Sequence, residues 1–301
     1  DKAFDEAFKI LMYKIVENKD KLKIKQIPLI DKKTLIENFS INNEMFIDNK
    51  YIAQFNVQFN KRKILNYLNS KGFIPSSPTE IEVFILPILI NENSNELYYL
   101  NQNIFYNNWN SNKKNYHLIK YILPNEDIED YNIIKQNINN IENYNFKEIT
   151  EKYNLKHEII LIILKSKSQI RVFSKIKFGK KDLLLNNAYN LEDVVNEKVI
   201  NKIIFDIKDN YEDKWKSVNK INTSIELPIR LSINAGNLKF SEKLENKLSS
   251  IDLISHFTIE MFNNKEIIYK LIFNGNPNKL LDIMSLHDFI IDTSNEVWKV
   301  K

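Results

Sequence analysis

The sequence predicts an α/β and α+β protein, with a mixed sheet and packed helices in its N-terminal part and a ferredoxin-like βαββαβ domain at its C-terminal end. Apolar runs of strand length alternate along the chain with segments of helical periodicity, which is typical of helices packed on a sheet. Hydrophobic residues make up 43% and charged residues 27% of the 301 residues, enough apolar side chains for a buried core. No stretch approaches the roughly 18 consecutive apolar residues of a membrane-spanning helix.

Residues 1–190 are predicted to form an α/β region, in which 1–75 and 76–190 can be separate subunits. Apolar residues at helical spacing predict a helix over residues 1–17, and strict alternation over residues 51–59 predicts a strand with one buried face. Asn60 is placed to cap the helix that follows. The other elements predicted here are helix Lys33–Phe39, strand Glu82–Ile90, helix Leu97–Trp109, strand His117–Leu123, a helix begun by the acids of residues 126–130, helix Phe146–Tyr153, and strands Glu158–Leu164, Gln169–Phe178 and Asp182–Leu185.

Residues 191–222 are predicted to form a linking helix, since Leu191–Val218 contains neither glycine nor proline. Residues 223–301 then follow the β-α-β-β-α-β order of a ferredoxin-like domain. Asn276 and Pro277 offer a cap and a first-turn proline for its second helix. Its predicted elements are strand Ile225–Ile233, helix Leu238–Leu248, strands Ile254–Phe262 and Ile267–Phe273, helix Asn278–Leu286 and strand Glu296–Val300.

The composition excludes several classes of chemistry. The absence of cysteine rules out disulfides, thiol nucleophiles and cysteine-based zinc sites. The net charge of +4, from 43 basic and 39 acidic residues, lacks the large excess typical of nucleic-acid-binding proteins, so no nucleic-acid partner is predicted. The 44 asparagines are spread through amphipathic segments. They indicate an AT-rich bacterial genome rather than a prion-like tract.

No catalytic, cofactor-binding or metal-ligating residues are predicted from motifs. None of the four histidines has a partner at a ligand-like spacing, and four glycines are too few for the familiar phosphate loops. The acids in residues 126–130 could bind a divalent cation, but their place at a helix start explains them more simply. A pair of carboxylates that lie apart in the sequence and come together only in the folded chain remains an alternative for acid–base chemistry.

A cluster of aromatic residues in the predicted helix 97–109 is the main candidate surface. Most of its members fall on one helical face, which is typical of a core-facing stripe and, alternatively, of an exposed face that docks a partner or a glycan strand. The candidate partner surface consists of Tyr98, Tyr99, Phe105, Tyr106 and Trp109.

Several segments, taken together in order and spacing, resemble a bacterial envelope family called domain of unknown function 2066, in its alphaproteobacterial form. The segments are AFDEAFKILMYKI, FSINNEMFIDNKYIAQFNVQFNKRKILNYLNSKG, VFILPIL, LYYLNQNIFYNNWN, LPNEDIEDYN, KEITEKYNLKHEIILIILK and FNGNPNKLLDIMSLHDFIID with the later VWKV. Asn125 stands where the family often has glycine. The resemblance implies a periplasmic location after removal of a signal peptide, which is not visible in this chain, and it implies no catalytic residues.

The function expected from these observations is that of a non-enzymatic periplasmic adaptor or assembly protein that binds another envelope protein. Its docking surface is expected to be the aromatic cluster or an exposed edge of the C-terminal sheet. The alternative is an envelope small-molecule binder or carboxylate-dependent enzyme, which a pocket lined by two or more acids would favour.

Overall fold

The computed structural model describes residues 1–20, 23–24, 27–111, 114–191, 196–220, 226–251 and 253–301, which form a mixed α/β protein with three sheets. The predicted strand start at Ile225, the boundary at residues 222–223 and residues 192–195 of the linking helix lie outside this part. No helix in it is long and apolar enough to cross a membrane. The α-helices are α1 Lys2–Ile15, α2 Leu29–Thr34, α3 Lys61–Ser70, α4 Ile104–Asn108, α5 Ile128–Gln136, α6 Lys147–Thr150, α7 Glu197–Val218, α8 Leu238–Ser250 and α9 Pro277–Ser285.

The strands of the described residues belong to a two-stranded, a five-stranded and a six-stranded sheet. They are β1 Ile36–Ile47, β2 Lys50–Phe59, β3 Ile81–Asn91, β4 Glu96–Tyr98, β5 Ile119–Ile122, β6 His157–Lys165, β7 Gln169–Phe178, β8 Lys181–Asn190, β9 Leu227–Asn234, β10 Ile254–Phe262, β11 Glu266–Phe273, β12 Ile291–Asp292 and β13 Val297–Val300.

The chain divides into two compact units, each assembled from two separate segments. Unit 1 comprises residues 1–27 and 78–218, and unit 2 comprises residues 28–77 and 219–301. Residues 28–77 therefore group with the C-terminal segment, whereas the prediction from sequence was a single region over residues 1–190.

The six-stranded sheet of unit 1 carries helices on both faces, as its apolar strands predict. Its order is β4-β3-β6-β7-β8, and β5 pairs with β3 in parallel. Eight consecutive residues of β3 are buried, because neighbouring side chains point to opposite faces and both faces are covered. Val83 and Ile85 pack with residues of α7, and Phe84 and Leu86 pack with residues of α5 and α6 on the other side.

The predicted helix over 97–109 is wrong in this unit. The chain there forms β4, a 3-10 turn at Leu100–Gln102 and the short helix α4. Leu100 has a φ of 43°, a left-handed backbone that a continuous helix does not tolerate. The Asn103 side chain then caps a new helix by accepting hydrogen bonds from the backbone N–H groups of Phe105 and Tyr106.

In unit 2, β1 and β2 form an antiparallel hairpin as a sheet of their own. Strand β2 was predicted from its alternating pattern, whereas the helix predicted over residues 33–39 is wrong. In the structure α2 ends at Thr34, and residues from Ile36 onward continue into β1. Phe39 and Ile41 alternate with Ser40 and Asn42, so the strand periodicity is present in the first part of β1, and a register shift between Asn42 and Met45 interrupts it.

The C-terminal segment of unit 2 forms a five-stranded sheet in the order β10-β11-β9-β13-β12. Apolar residues of α8 and α9, among them Leu244, Leu248, Leu280 and Met284, form one buried cluster with β9 and β11. The element order departs from the predicted βαββαβ because two strands follow α9. Asp292 accepts hydrogen bonds from the N–H and hydroxyl groups of Ser294, which turns the chain between β12 and β13. As a result β13 lies parallel to β9.

Candidate functional site

The aromatic cluster singled out in the sequence does not form an exposed docking face. Phe105 and Trp109 are completely buried in the core of unit 1. Tyr106 is half-buried and donates a hydrogen bond from its hydroxyl to the carbonyl oxygen of Pro124, at 2.9 Å. Tyr98 packs against the same core as Trp109, whereas Tyr99 packs on the opposite face of the sheet, since the two are neighbours in β4 and its extension. The proposed partner surface is therefore corrected to a set of core and half-buried residues.

A second group of polar residues lies inside unit 1, on α7. Lys208, Glu212 and Lys216 are each 2–3% exposed. They are spaced four residues apart, so they share the buried face of the helix with Ile204, Tyr211 and Trp215. Charged residues are almost never this buried unless something pairs with them. This group was not among the residues predicted from the sequence, where α7 was interpreted as a linking helix. The signal for it is that three charged residues recur every four positions, in the same spacing as the apolar residues of the helix.

The carboxyl group of Glu212 holds the start of β5 in place. Its Oε1 atom accepts hydrogen bonds from the backbone N–H groups of Leu118 and Ile119, both at 3.0 Å. Its Oε2 atom is buried and has no hydrogen-bond partner in the described part of the chain. Burial raises the pKa of Glu212 to about 7, although the two backbone bonds and the charge of Lys216 act in the opposite direction. Near neutral pH this carboxyl can therefore give up or take a proton.

Lys208 brings a buried ammonium group to two aromatic rings. Its Nζ atom donates a hydrogen bond to the carbonyl oxygen of Trp109 and lies 5.5 Å and 5.4 Å from the ring centres of Trp109 and Tyr121. These distances are typical of cation–π contacts. The Tyr121 hydroxyl is buried and has no hydrogen-bond partner among the described residues. Burial and the nearby Glu212 raise the pKa of Tyr121, which keeps its proton.

Lys208 and Tyr121 line a cavity of about 380 Å³ at the start of strands β3 and β5. Asn110 and His117 also line it, and the Asn110 side chain donates to the Tyr121 carbonyl oxygen. The solvent-exposed part of the wall includes an ion pair between Glu82 and Lys120. The cavity thus combines the buried residues Lys208 and Tyr121 with a charged, solvent-exposed wall.

Asp127, Asp130 and His157 take part in hydrogen bonds that support the fold. Asp127 caps α5 as its acidic start predicts, accepting from the Glu129 N–H at 2.8 Å, and Lys152 contacts both Asp127 and Asp130 at 2.7 Å. Lys152 lowers the pKa of Asp127. His157 accepts a hydrogen bond from the Gly179 N–H. Within the described ranges, no three His, Asp or Glu side chains are placed to hold a metal ion.

In unit 2 the most unusual surface is the end of hairpin β1–β2, residues 45–52, which we call the hairpin tip. Phe46 faces Tyr51 across the hairpin, with ring centres 6.5 Å apart, and Met45 faces Ile52. Adjacent pairs point to opposite faces of a hairpin, so both faces of the tip are apolar. Phe46 is 74% exposed, and Met45, Ile47, Tyr51 and Ile52 are about half exposed.

An exposed edge of the C-terminal sheet was the other docking surface expected from the sequence. Strand β10 forms one edge of that sheet. Ile259, Met261 and Phe262 at its end are exposed. Register shifts at residues 254–256 and 259–261 interrupt its pairing with β11, and such bulges blunt an edge against added strands. The hairpin tip is therefore the stronger of the two candidate surfaces.

Comparison with protein-family models, with curated proteins and with solved structures finds no match to this chain.

Proposed function

We propose that the chain is a non-enzymatic adaptor or assembly protein of the bacterial envelope, which binds another protein through the hairpin tip. The observation that carries the proposal is the exposure of apolar side chains on both faces of that tip. Phe46 and Tyr51 are large side chains that dominate binding when a partner encloses them.

The stability of short hairpins also supports a partner. A two-stranded hairpin by itself is marginally stable in water, and it normally needs a further packed layer. Large exposed apolar patches on soluble proteins mark interaction sites. The tip has such a patch and lies at the end of strands 12 and 10 residues long. A groove on a partner protein would cover the apolar side chains of the tip.

The envelope location is part of the proposal. Its support is the resemblance of the segments quoted above to the envelope family called domain of unknown function 2066, which implies a periplasmic protein. Fractionation of cells that express the full gene, with the chain detected by antibody, tests it. We expect the chain in the periplasmic fraction after osmotic shock, and its retention with cytosolic markers would contradict this location.

We also propose that the C-terminal sheet is a variant of the ferredoxin-like fold, in which β13 is inserted beside β9 and parallel to it, and β12 lies on the outer side of β13. The supporting feature is the split βαβ arrangement, in which α8 connects β9 to β10 and β11 lies between them, antiparallel to both. Strand β12 then extends the sheet beyond β13.

Site-specific photo-crosslinking tests the proposed docking surface. A p-benzoyl-phenylalanine introduced at position 46 is expected to capture one reproducible partner in the native envelope. The matched control carries the same group at position 128, where Ile128 in unit 1 is equally exposed, at 72%. Capture from position 46 and not from position 128 supports the proposal. Equal capture from both positions, or none from position 46, contradicts it.

A pair of double variants sharpens the result. Phe46→Ser with Tyr51→Ser removes the aromatic pair of the tip, and we expect recovery of the partner to fall at least tenfold. Asn42→Ser with Gln54→Ser changes a facing polar pair on the same hairpin and should leave recovery unchanged. If both double variants lose the partner equally, the hairpin acts only through its folding and the tip is not the docking surface.

A further inference from the structure

Unit 2 contains a cavity of about 530 Å³ between α3 and the C-terminal segment. Arg62, Asn66 and Asn69 follow one another at helical spacing, so one face of α3 forms its first wall. The second wall comes from the end of α8, the start of β10 and Asn274, which follows β11. Leu65 connects the two walls, because it packs against the buried cluster of the C-terminal sheet. The volume is in the range of pockets that bind small ligands.

The lining of this cavity is mostly polar and has one apolar patch. Nine of the twelve described residues that line it carry amide, hydroxyl or charged groups. The other three, Leu65, Ile251 and Ile254, all belong to or pack against the buried cluster of the C-terminal sheet. Arg62 and Asn66 are exposed to solvent, so a ligand can reach their polar ends.

The charged residues that line the cavity favour an anion. Lys61 and Arg62 stand against Glu37, which leaves one net positive charge. Two acids of neighbouring elements, Asp31 and Glu245, instead accept hydrogen bonds from tyrosine hydroxyl groups at 2.9 Å and 2.6 Å. The first turn of α3 contains no acid, so nothing in that turn offsets the positive end of the helix dipole. Partial burial lowers the pKa of Lys61, and a bound carboxylate would act in the opposite direction.

The asparagines of the first wall define what the anion must carry with it. An asparagine side chain has both an acceptor and donors, and a peptide bond has one of each. Asn66 and Asn69 therefore complement a peptide bond better than an isolated anion. A guanidinium group such as that of Arg62 can bind a carboxylate through two parallel hydrogen bonds. One net positive charge matches a chain end that carries only a carboxylate, whereas a free peptide also brings an ammonium group, which that charge disfavours.

We propose that this cavity binds the C-terminal end of another protein whose last side chain is aliphatic. The terminal carboxylate is paired with Arg62, and the last peptide bond is hydrogen-bonded to Asn66. The aliphatic side chain lies against Leu65 and Ile254. This proposal does not depend on the hairpin tip, whose residues 45–52 are not those that line the cavity.

Three short peptides of similar size test the proposal: acetyl-Ala-Ala-Leu with a free carboxylate, the same peptide with a C-terminal amide, and acetyl-Ala-Ala-Gly with a free carboxylate. Isothermal titration of the full chain at up to about 10 mM peptide is expected to give the lowest dissociation constant for the leucine acid, at least tenfold below that of the amide. The glycine acid is expected to bind at least threefold more weakly than the leucine acid. An amide equal to the acid, or no binding of the leucine acid in this range, overturns the proposal.

The unacetylated peptide Ala-Ala-Leu distinguishes a protein end from a free peptide. It carries the same carboxylate and an additional N-terminal ammonium group. Binding equal to or weaker than that of the acetylated acid supports a protein end as the ligand. Tighter binding would assign the cavity to free peptides and would overturn the proposal.

Variants of the first wall assign the site. Arg62→Gln is expected to raise the dissociation constant of the leucine acid at least fivefold and to abolish its advantage over the amide. Asn66→Ala is expected to raise it two- to fivefold, because a hydrogen bond is lost. An unchanged affinity in both variants overturns the proposal. Both residues are exposed, so the free energy of unfolding should change by less than about 0.5 kcal/mol, which chemical denaturation checks.

Lys63 supplies the matched control for charge. It lies in the same turn of α3 as Arg62, outside the lining of the cavity, and its Nζ atom donates to the carbonyl oxygen of Thr34. Lys63→Gln removes the same charge and should leave peptide binding unchanged. Equal losses in Arg62→Gln and Lys63→Gln would mean that only net charge matters and would overturn the proposed site. The serine variants of the hairpin tip should also leave peptide binding unchanged, so failure of either proposal is recognised separately.

Discussion

Unit 1 and unit 2 differ in their energetically unfavourable groups, which are buried polar atoms without a hydrogen bond or apolar side chains exposed to water. In unit 1 they are polar and internal: the buried Trp109 Nε1, Tyr121 hydroxyl and Glu212 Oε2 atoms have no hydrogen-bond partner in the described part of the chain. In unit 2 they are apolar and external. Of the large hydrophobic side chains that are exposed among the described residues, fourteen belong to unit 2 and three to unit 1, namely Ile104, Ile128 and Leu184.

The interior of unit 2 shows that buried polar groups can be satisfied within the chain. The Tyr269 hydroxyl is hydrogen-bonded to Ser241 Oγ at 2.7 Å and to Glu245 at 2.6 Å. A polar group left without such a partner in a well-packed core is costly, and so is a large apolar group left in water. Unit 1 therefore bears this cost inside its core, whereas unit 2 bears it at its surface and is suited to dock something apolar there.

The largest expected effect concerns the core of unit 1. Trp109→Ala should lower the free energy of unfolding by about 3–5 kcal/mol, because it opens a cavity between α7 and the sheet. Chemical denaturation measures this change. Ile128→Ala in the same unit is the control and should change it by less than about 0.5 kcal/mol. A loss of less than about 1 kcal/mol for Trp109→Ala would contradict burial of the side chain and would favour a place for Trp109 on the surface.

The second prediction concerns the pH dependence that Glu212 gives to unit 1. Its folded pKa of about 7 lies above the ordinary value of 4.5, so the folded state binds the proton more tightly than the unfolded state. The stability of the wild type is therefore expected to fall as pH rises from about 4.5 to 7, by up to about 3 kcal/mol from this group.

Glu212→Gln should remove that pH dependence, because glutamine keeps an oxygen acceptor for the N–H groups of Leu118 and Ile119 and carries no charge. The variant should be more stable than the wild type at pH 8 and similar to it at pH 5. Urea denaturation at both pH values measures the difference. A wild type whose stability rises between these pH values, with the rise lost in the variant, would mean that Glu212 is stabilised as a carboxylate.

The third prediction compares two buried tyrosines of unit 1. Tyr121→Phe should leave the free energy of unfolding unchanged or raise it, because its hydroxyl has no partner in the described residues. Tyr211→Phe should lower it by about 1 kcal/mol, because its hydroxyl is hydrogen-bonded to Ser174 at 2.7 Å. Equal losses for the two variants would show that the Tyr121 hydroxyl is used within the fold.

The smallest effect on stability is expected at the hairpin tip of unit 2. Phe46→Ser should change the free energy of unfolding by less than about 0.5 kcal/mol, because its side chain is 74% exposed. The same variant should bind less of a hydrophobic dye such as ANS, measured by fluorescence. A destabilisation of 2 kcal/mol or more would show that the Phe46 side chain packs within the fold and is not free to contact a partner.

Local signals predicted several elements well. The caps at Asn60 and Asn276 are confirmed, since their side chains accept hydrogen bonds from the N–H groups of Lys63 and Asn278. Strand β3 and hairpin β6–β7 also lie where their apolar patterns predicted them. These features depend on a few neighbouring residues, and a sequence displays neighbouring residues directly.

The candidate sites were less predictable. The aromatic pattern of residues 98–109 indicated either a core or a surface, and only the backbone turn at Leu100 and packing against α7 placed Trp109 in the core. Lys208 and Tyr121 are far apart in the chain, so no motif joins them. The exposed hairpin tip resembles any half-buried strand in sequence, because periodicity shows that a face is apolar and not what covers it.

By itself the sequence determined the apolar strands, the helix caps and the exclusion of cysteine chemistry. Tertiary structure alone decided that residues 28–77 group with the C-terminal segment, that β13 pairs in parallel with β9, and that the charges of α7 are buried beside a cavity. The physical reason is that strand pairing uses backbone groups that every residue except proline carries in full. Which segments meet is therefore set by how all the apolar faces are buried together, and that balance is not contained in any local pattern.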